Sequence, residues 1–286
     1  MQIPEITINE VNKAYLLSLL QSASLPYGTD LIEKGLDDFF NNSDHGFKHS
    51  LAVYERCKEV VFHCPTVVDF ALHRIDESSD SKAKKVAAAL IEWACILHDL
   101  SRFFGKGAKE HEEASANLTG MLSNIADPIF VRWLYNIIIE HDYFFSVVGD
   151  QLLPRVLRNP LAEIFRLADK TSLPPKDEVE RYYQTGLRFK TPFFNPSLDL
   201  VDRFEFKDNH VSRDAIGWMM LIFLLKSENF FYRETADEYG RWAQGKTAAL
   251  DYILGLAKKE KDIDGREINP DQIRKILLSD FKVIKS

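Results

Sequence analysis

The chain has 286 residues, of which 45% are hydrophobic, 12% aromatic and 28% charged, with only 13 glycines and 11 prolines. This excludes a disordered, fibrous or linker-rich chain, and the length is enough to bury a sizeable core. Lys plus Arg total 36 against 43 for Asp plus Glu, a net charge of −7. That argues against a duplex nucleic-acid binder, which needs a basic surplus to grip phosphates, and leaves open a local basic groove for one phosphorylated small molecule.

Apolar residues recur at helical spacing in chain order over Val11–Gln21, Asp30–Phe40, Phe47–Phe62, Ala83–Phe104, Glu110–Leu122, Pro128–Glu140 and Leu161–Lys170. Thr29-Asp30 and Asp127-Pro128 are helix-start signals. Ser172–Asp177 and Thr191–Pro196 interrupt the pattern, and Leu200–Phe206 is a weak strand candidate. Helical spacing then returns over Arg213–Gln244, Thr247–Lys261 and Pro270–Leu278. The expectation is an all-α protein, with a helical core in residues 1–172 and a helical C-terminal extension in 173–286.

The three cysteines, Cys57, Cys64 and Cys95, include no metal-type doublet. Neither a disulfide framework nor a zinc ribbon is expected, and a reducing, cytoplasmic setting suits them. Met1–Glu5 lacks the basic and apolar regions of a signal peptide. The most apolar run, Ala215–Leu225, is shorter than the roughly 20 residues that span a bilayer. It reads as a buried helix, and no membrane partner is expected.

The chemistry lies in how polar groups follow apolar runs. His98-Asp99 ends Ala87–Leu97, His141 ends Ile137–Glu140, and Asp169 ends Ile164–Ala168. Buried unpaired, such groups cost several kcal/mol, and a metal ion is one partner that satisfies several at once. Singly, each reads more simply as a core histidine or a helix cap. The ordered set His49, His98-Asp99, His111, His141 and Asp169 reads as a ligand series.

That order resembles the HD-domain superfamily of metal-dependent phosphohydrolases. The family pattern places a His on one helix, a His-Asp doublet on a later one and a distal Asp after a further helix. Here these are His49 in His45-Gly46-Phe47-Lys48-His49, the doublet in Leu97-His98-Asp99-Leu100, and Asp169 in Leu167-Ala168-Asp169-Lys170. Members with two metals insert two more histidines, and His111 and His141 stand in those places. The resemblance covers residues of about 44–172. Ser101-Arg102 follows the doublet and Leu100 where many relatives have Gly-Lys. Asp142 follows His141 in place of the second His and Gly-Tyr-Pro of the cyclic-dinucleotide phosphodiesterases, which sets the chain apart from that subfamily.

The resemblance implies an HD-type bundle and two divalent ions. Imidazole and carboxylate donors suit Fe, Mn, Zn, Co or Ni. One ion would take His49, His98, Asp99 and Asp169, and the second His111 and His141, with Asp99 bridging. Ions about 3.5–4 Å apart can clamp a phosphoryl group and make hydroxide available, which implies hydrolysis of a phosphoester of a nucleotide or small metabolite. His45 is nominated as general acid, an N-terminal capping role being equally open. Arg102 and Lys170 are the foremost phosphate contacts, ahead of Lys106 and Lys109. Asp142 could orient His141. Tyr143–Phe145 and Phe193-Phe194 could wall an aromatic ring, though such clusters are more often core.

Two other functions remain open from sequence. Some relatives use the same ligand set for two irons and cleave C–C or C–P bonds with dioxygen. A catalytically silent scaffold that binds a nucleotide or protein partner belongs to a different class and predicts degraded ligand positions. A homo-oligomer is compatible with every reading.

Overall fold

The computed structural model describes residues 2–23, 26–41, 45–75, 80–105, 111–141, 145–148, 151–154, 156–188, 190–198, 202–204 and 213–278. Regular structure in them is helical apart from one two-stranded hairpin. The chain divides into two compact units, neither continuous in sequence. The first holds Met1–Asp142, Leu157–Ser172 and Phe231–Thr235, and the second Tyr143–Val156, Leu173–Phe230 and Ala236–Ser286. No helix among the described residues is long and apolar enough to cross a membrane.

The first unit contains α1 (Lys13–Ser22), α2 (Thr29–Asn41), α3 (Phe47–His63), α4 (Pro65–Ile75), α5 (Asp80–Leu97), α6 (His111–Asn117), α7 (Pro128–Glu140) and α8 (Pro160–Lys170). Short polar side chains start these helices by accepting orphan backbone N–H groups. Asn12 accepts from Tyr15 N at 3.0 Å, and Asp127 from Ile129 N at 2.9 Å with Pro128 opening the first turn. Each such cap contributes about 1 kcal/mol.

α8 is the axis of this unit. Helices α3, α4, α5 and α7 pack on it, and every residue from Pro160 to Asp169 is buried. Its burial forces its charged residues to find partners, which shapes the site described below.

The helix expected over Ala83–Phe104 stops at Leu97, and a 3₁₀ turn over Leu100–Phe104 follows. Asp99 caps that turn at φ −111°, ψ −2°, and Gly105 closes it at φ 81°, a conformation that favours glycine. Helical periodicity alone could not show the break, because the apolar spacing continues through the turn. The stretch Glu110–Leu122 likewise divides into α6 and a 3₁₀ turn over Leu118–Leu122.

The second unit contains β1 (Phe145–Val148) antiparallel to β2 (Gln151–Pro154), then α9 (Pro175–Arg188) and α10 (Ala215–Leu224). α11 (Arg233–Ala243) begins among first-unit residues, and α12 (Lys246–Ala257) and α13 (Pro270–Leu277) follow. α9 packs on α10 and α12, and α12 on α13. The apolar run at 215–225 is a buried helix, as its composition requires. Asp214 accepts from Gly217 N at 2.7 Å to start α10 and pairs with the wholly buried Arg203.

Three sequence expectations are corrected here. Within Leu200–Phe206 the described residues Asp202–Phe204 form a 3₁₀ turn, not a strand. The hairpin, in a chain expected to be all-α, has its local sequence signal in two short apolar runs separated by Gly149-Asp150. Ser172–Asp177 does not simply interrupt the helices: Pro175 starts α9, since proline fits a first helical turn.

Candidate metal centre

The site lies wholly in the first unit, where α3, the end of α5 and the end of α8 meet. Gly46 caps α3, so His49 sits on its first turn while His45 precedes the helix. His49 Nε2 is 3.1 Å from Asp169 Oδ1. Although off the helix, His45 still reaches the cluster, with Nδ1 2.9 Å from Asp99 Oδ2. His49, His98, Asp99 and Asp169 are all buried, whereas the His45 side chain is 38% exposed.

The break after Leu97 explains how neighbours in sequence serve one centre. Adjacent residues of an unbroken helix diverge by about 100°. Here the chain leaves the helix, and His98 Nε2 lies 3.6 Å from Asp99 Oδ2 and 3.6 Å from Asp169 Oδ1. The other ring nitrogen, Nδ1, sits 3.2 Å from the Ala94 carbonyl and 3.0 Å from that of Cys95. Carbonyls only accept, so Nδ1 carries the proton. Burial holds the His98 ring below its ordinary pKa despite the two carboxylates, which keeps it neutral.

The consequence is a concentration of lone pairs. His98 Nε2 is buried with no hydrogen-bond partner, and two carboxylate oxygens face it. The two oxygens are met by His45 and His49, but the bare His98 nitrogen beside two carboxylates is left for a cation to satisfy. Two overlapping groups, His45/His49/Asp99 and His49/His98/Asp169, bring their ligand atoms within 4.8 Å of one another. The donor set fits a divalent first-row ion.

Cations flank the acids. Arg102 Nε donates to Asp99 Oδ1 at 2.7 Å, so the two oxygens of Asp99 divide between Arg102 and the histidines. Lys170 Nζ is 2.8 Å from Asp169 Oδ2. Burial would raise the Asp169 carboxyl, but Lys170 and the hydrogen bond from His49 outweigh it and hold it well below the usual range.

His141 stands beside this cluster. Its ring lies edge-on to His98 with centroids 5.3 Å apart, and its Nδ1 donates to the Ile138 carbonyl. It belongs to neither of the two close ligand groups. The His111 side chain, Lys106, Lys109, Asp142 and Tyr143–Phe145 as an aromatic wall lie outside the described residues or side chains. Phe193 and Phe194 are buried in the core of the second unit.

Residues that sequence reasoning missed lie along α8. Glu163, Arg166 and Asp169 follow one another at three-residue intervals on a helix with no exposed face. Arg166 donates to the Glu140 carbonyl at 3.1 Å and to that of His141 at 3.3 Å, tying the end of α7 to α8. Glu163 accepts from Phe231 N at 2.8 Å, Tyr232 N at 3.0 Å and the Thr235 hydroxyl. Phe165 lies edge-on to both His98 and His141, at 5.4 and 5.5 Å. Charges at fixed spacing inside an otherwise apolar helix were the available signal.

No protein-family model, curated protein or solved structure matches the chain. What the site is must be read from its residues.

Proposed function

We propose that the chain is a metal-dependent phosphohydrolase of the HD type, acting on a nucleotide or another small phosphorylated metabolite. The observation that carries this reading is the buried, unpartnered Nε2 of His98 facing carboxylate oxygens of Asp99 and Asp169. Its second support is the order of His49, His98-Asp99 and Asp169 along the chain.

His49, His98, Asp99 and Asp169 would hold one divalent ion, and His111 and His141 would complete a second site with Asp99 shared. When bound, such ions offset phosphoryl charge and make hydroxide available near neutrality. The chain's own groups do the rest. Arg102 and Lys170, each partly exposed and each already paired with a ligand carboxylate, supply positive charge beside the phosphoryl oxygens. His45, tied to Asp99 through Nδ1 and partly open to solvent, donates the proton that the leaving oxygen needs. The four ligand side chains are buried, whereas those of His45, Arg102 and Lys170 are partly exposed.

Elemental analysis of the purified chain tests the reading, followed by a panel of nucleotides and phosphomonoesters with added Mn, Co, Ni or Mg, run under air and under argon. Retained metal and metal-dependent phosphate release in both atmospheres are expected. A protein that keeps no metal and turns over no phosphoester overturns it, and strict dioxygen dependence would point to the oxygenase chemistry instead.

A further inference from the structure

A cavity of about 270 Å³ in the first unit lies between the end of α4, the middle of α7 and the start of α8. Arg74 lines it from α4, Trp133 and Ile137 from α7, and Arg158 from just before α8. None of the described residues in its wall is acidic. Neither guanidinium has a carboxylate partner among the described residues, although the chain as a whole carries a net charge of −7.

Both guanidiniums are instead held over rings. Arg74 Cζ lies 4.7 Å from the centre of the Phe70 ring, and Arg158 Cζ 5.8 Å from that of Phe231. The Tyr232 hydroxyl donates to the Arg158 carbonyl at 2.9 Å, which fixes the backbone that presents this arginine. Ring stacking orders a guanidinium without neutralising it, so its N–H fork stays available to an anion. Two like charges facing one cavity repel, and the ligand that best relieves this is a compact dianion.

We propose that this cavity binds a small phosphate-bearing molecule with a planar ring. Arg74 and Arg158 take the phosphate oxygens, a match of fork to oxyanion that arginine makes in bidentate fashion. The half-buried Trp133 indole takes the ring. The site is separate from the histidine and aspartate cluster: Pro160 and Asp169 stand at opposite ends of α8, about 14 Å apart along the helix. It rests on its own residues and is independent of the hydrolase reading.

Equilibrium dialysis of the full chain, stripped with chelator, tests this with AMP, ribose 5-phosphate, inorganic phosphate and adenosine as probes. AMP should bind saturably and more tightly than ribose 5-phosphate or phosphate. Arg74→Ala and Arg158→Ala should each weaken it about tenfold or more, through loss of that arginine's charge-assisted contact to the phosphate. Trp133→Leu should bring AMP down toward the affinity of ribose 5-phosphate. Circular dichroism checks that the variants keep their helices, and both arginines are exposed, so folding should survive. No AMP binding up to about 5 mM overturns the proposal. So does unchanged binding in the double arginine variant, which would place the ligand elsewhere, or adenosine binding as tightly as AMP.

Discussion

His49 and Asp169 are 120 residues apart in sequence, and their side chains meet at 3.1 Å. The contact exists because α3 and α5 both pack on α8, so the first turn of one helix, the broken end of the second and the last turn of the third converge on one point. His98 enters the same point with a bare nitrogen. Several consequences of this arrangement can be measured.

Among the proposed ligands, Asp99 is the one whose loss should matter most. With Ala there, bound metal and turnover should both disappear, since the first site loses a ligand and the proposed shared oxygen goes with it. His111→Ala or His141→Ala should leave about one ion per chain and at most residual activity. Metal counts on the three purified variants decide between these outcomes. Equal occupancy in the Asp99 and His111 variants would remove the shared role, and two retained ions in the His141 variant would take His141 off the ligand list.

Gly35 on α2 is a close-approach glycine. A Cβ there would lie 2.6 Å from the Phe103 carbonyl oxygen and 2.7 Å from Phe104 Cε1, within the 3₁₀ turn that carries Arg102. Gly35→Ala should cost about 1–3 kcal/mol net of its gain in helix propensity, because a backbone oxygen cannot rotate away. The denaturant midpoint should fall at unchanged slope, and metal affinity should fall with it. An unchanged midpoint would show that the turn yields freely.

Glu163 is buried with three donors aimed at its carboxylate. Burial raises its carboxyl above the ordinary value, against the pull of those donors and of Arg166. Glu163→Ala should destabilise the first unit by about 3 kcal/mol, since it strands the Phe231 and Tyr232 N–H groups and removes a buried charge that interacts with Arg166. Glu163→Gln keeps an acceptor and should cost less than half as much. Urea unfolding of both variants measures the difference, and equal losses would rule out the hydrogen-bond account.

Lys246 gives the second unit a pH dependence. Its ammonium donates to the Leu225 carbonyl at 2.7 Å among the rings of Phe223, Tyr239 and Trp242. Burial, reinforced by the charge of Lys226, pushes it down to about 7. An unfolded lysine titrates near 10.4, so between about pH 7 and 10 the unfolded chain binds a proton that the folded chain has released. Stability should therefore rise with pH across that window, and Lys246→Met should flatten the rise. Melting temperatures of both proteins from about pH 7 to 10 test it. Parallel profiles would mean that the three rings keep the ammonium charged.

The helical nature of the chain was legible in its residues, as were several helix starts. Apolar spacing and caps such as Asp127-Pro128 act within one or two turns, so they leave a local record. The buried polar groups His98-Asp99 and Asp169 were legible for the same reason, as polar residues ending runs that had to be buried. Only the tertiary structure decided which of these groups meet. It ended α5 at Leu97 so that His98 and Asp99 face one centre, and it brought His45 onto Asp99 from outside any helix. It also enclosed α8 on every side, which turned Glu163 and Arg166 from ordinary helix charges into buried groups with fixed partners. Hydrophobic spacing specifies that a face is covered but not by what. The pairing of side chains far apart in sequence is settled only when helices pack against one another and every buried charge must find its partner.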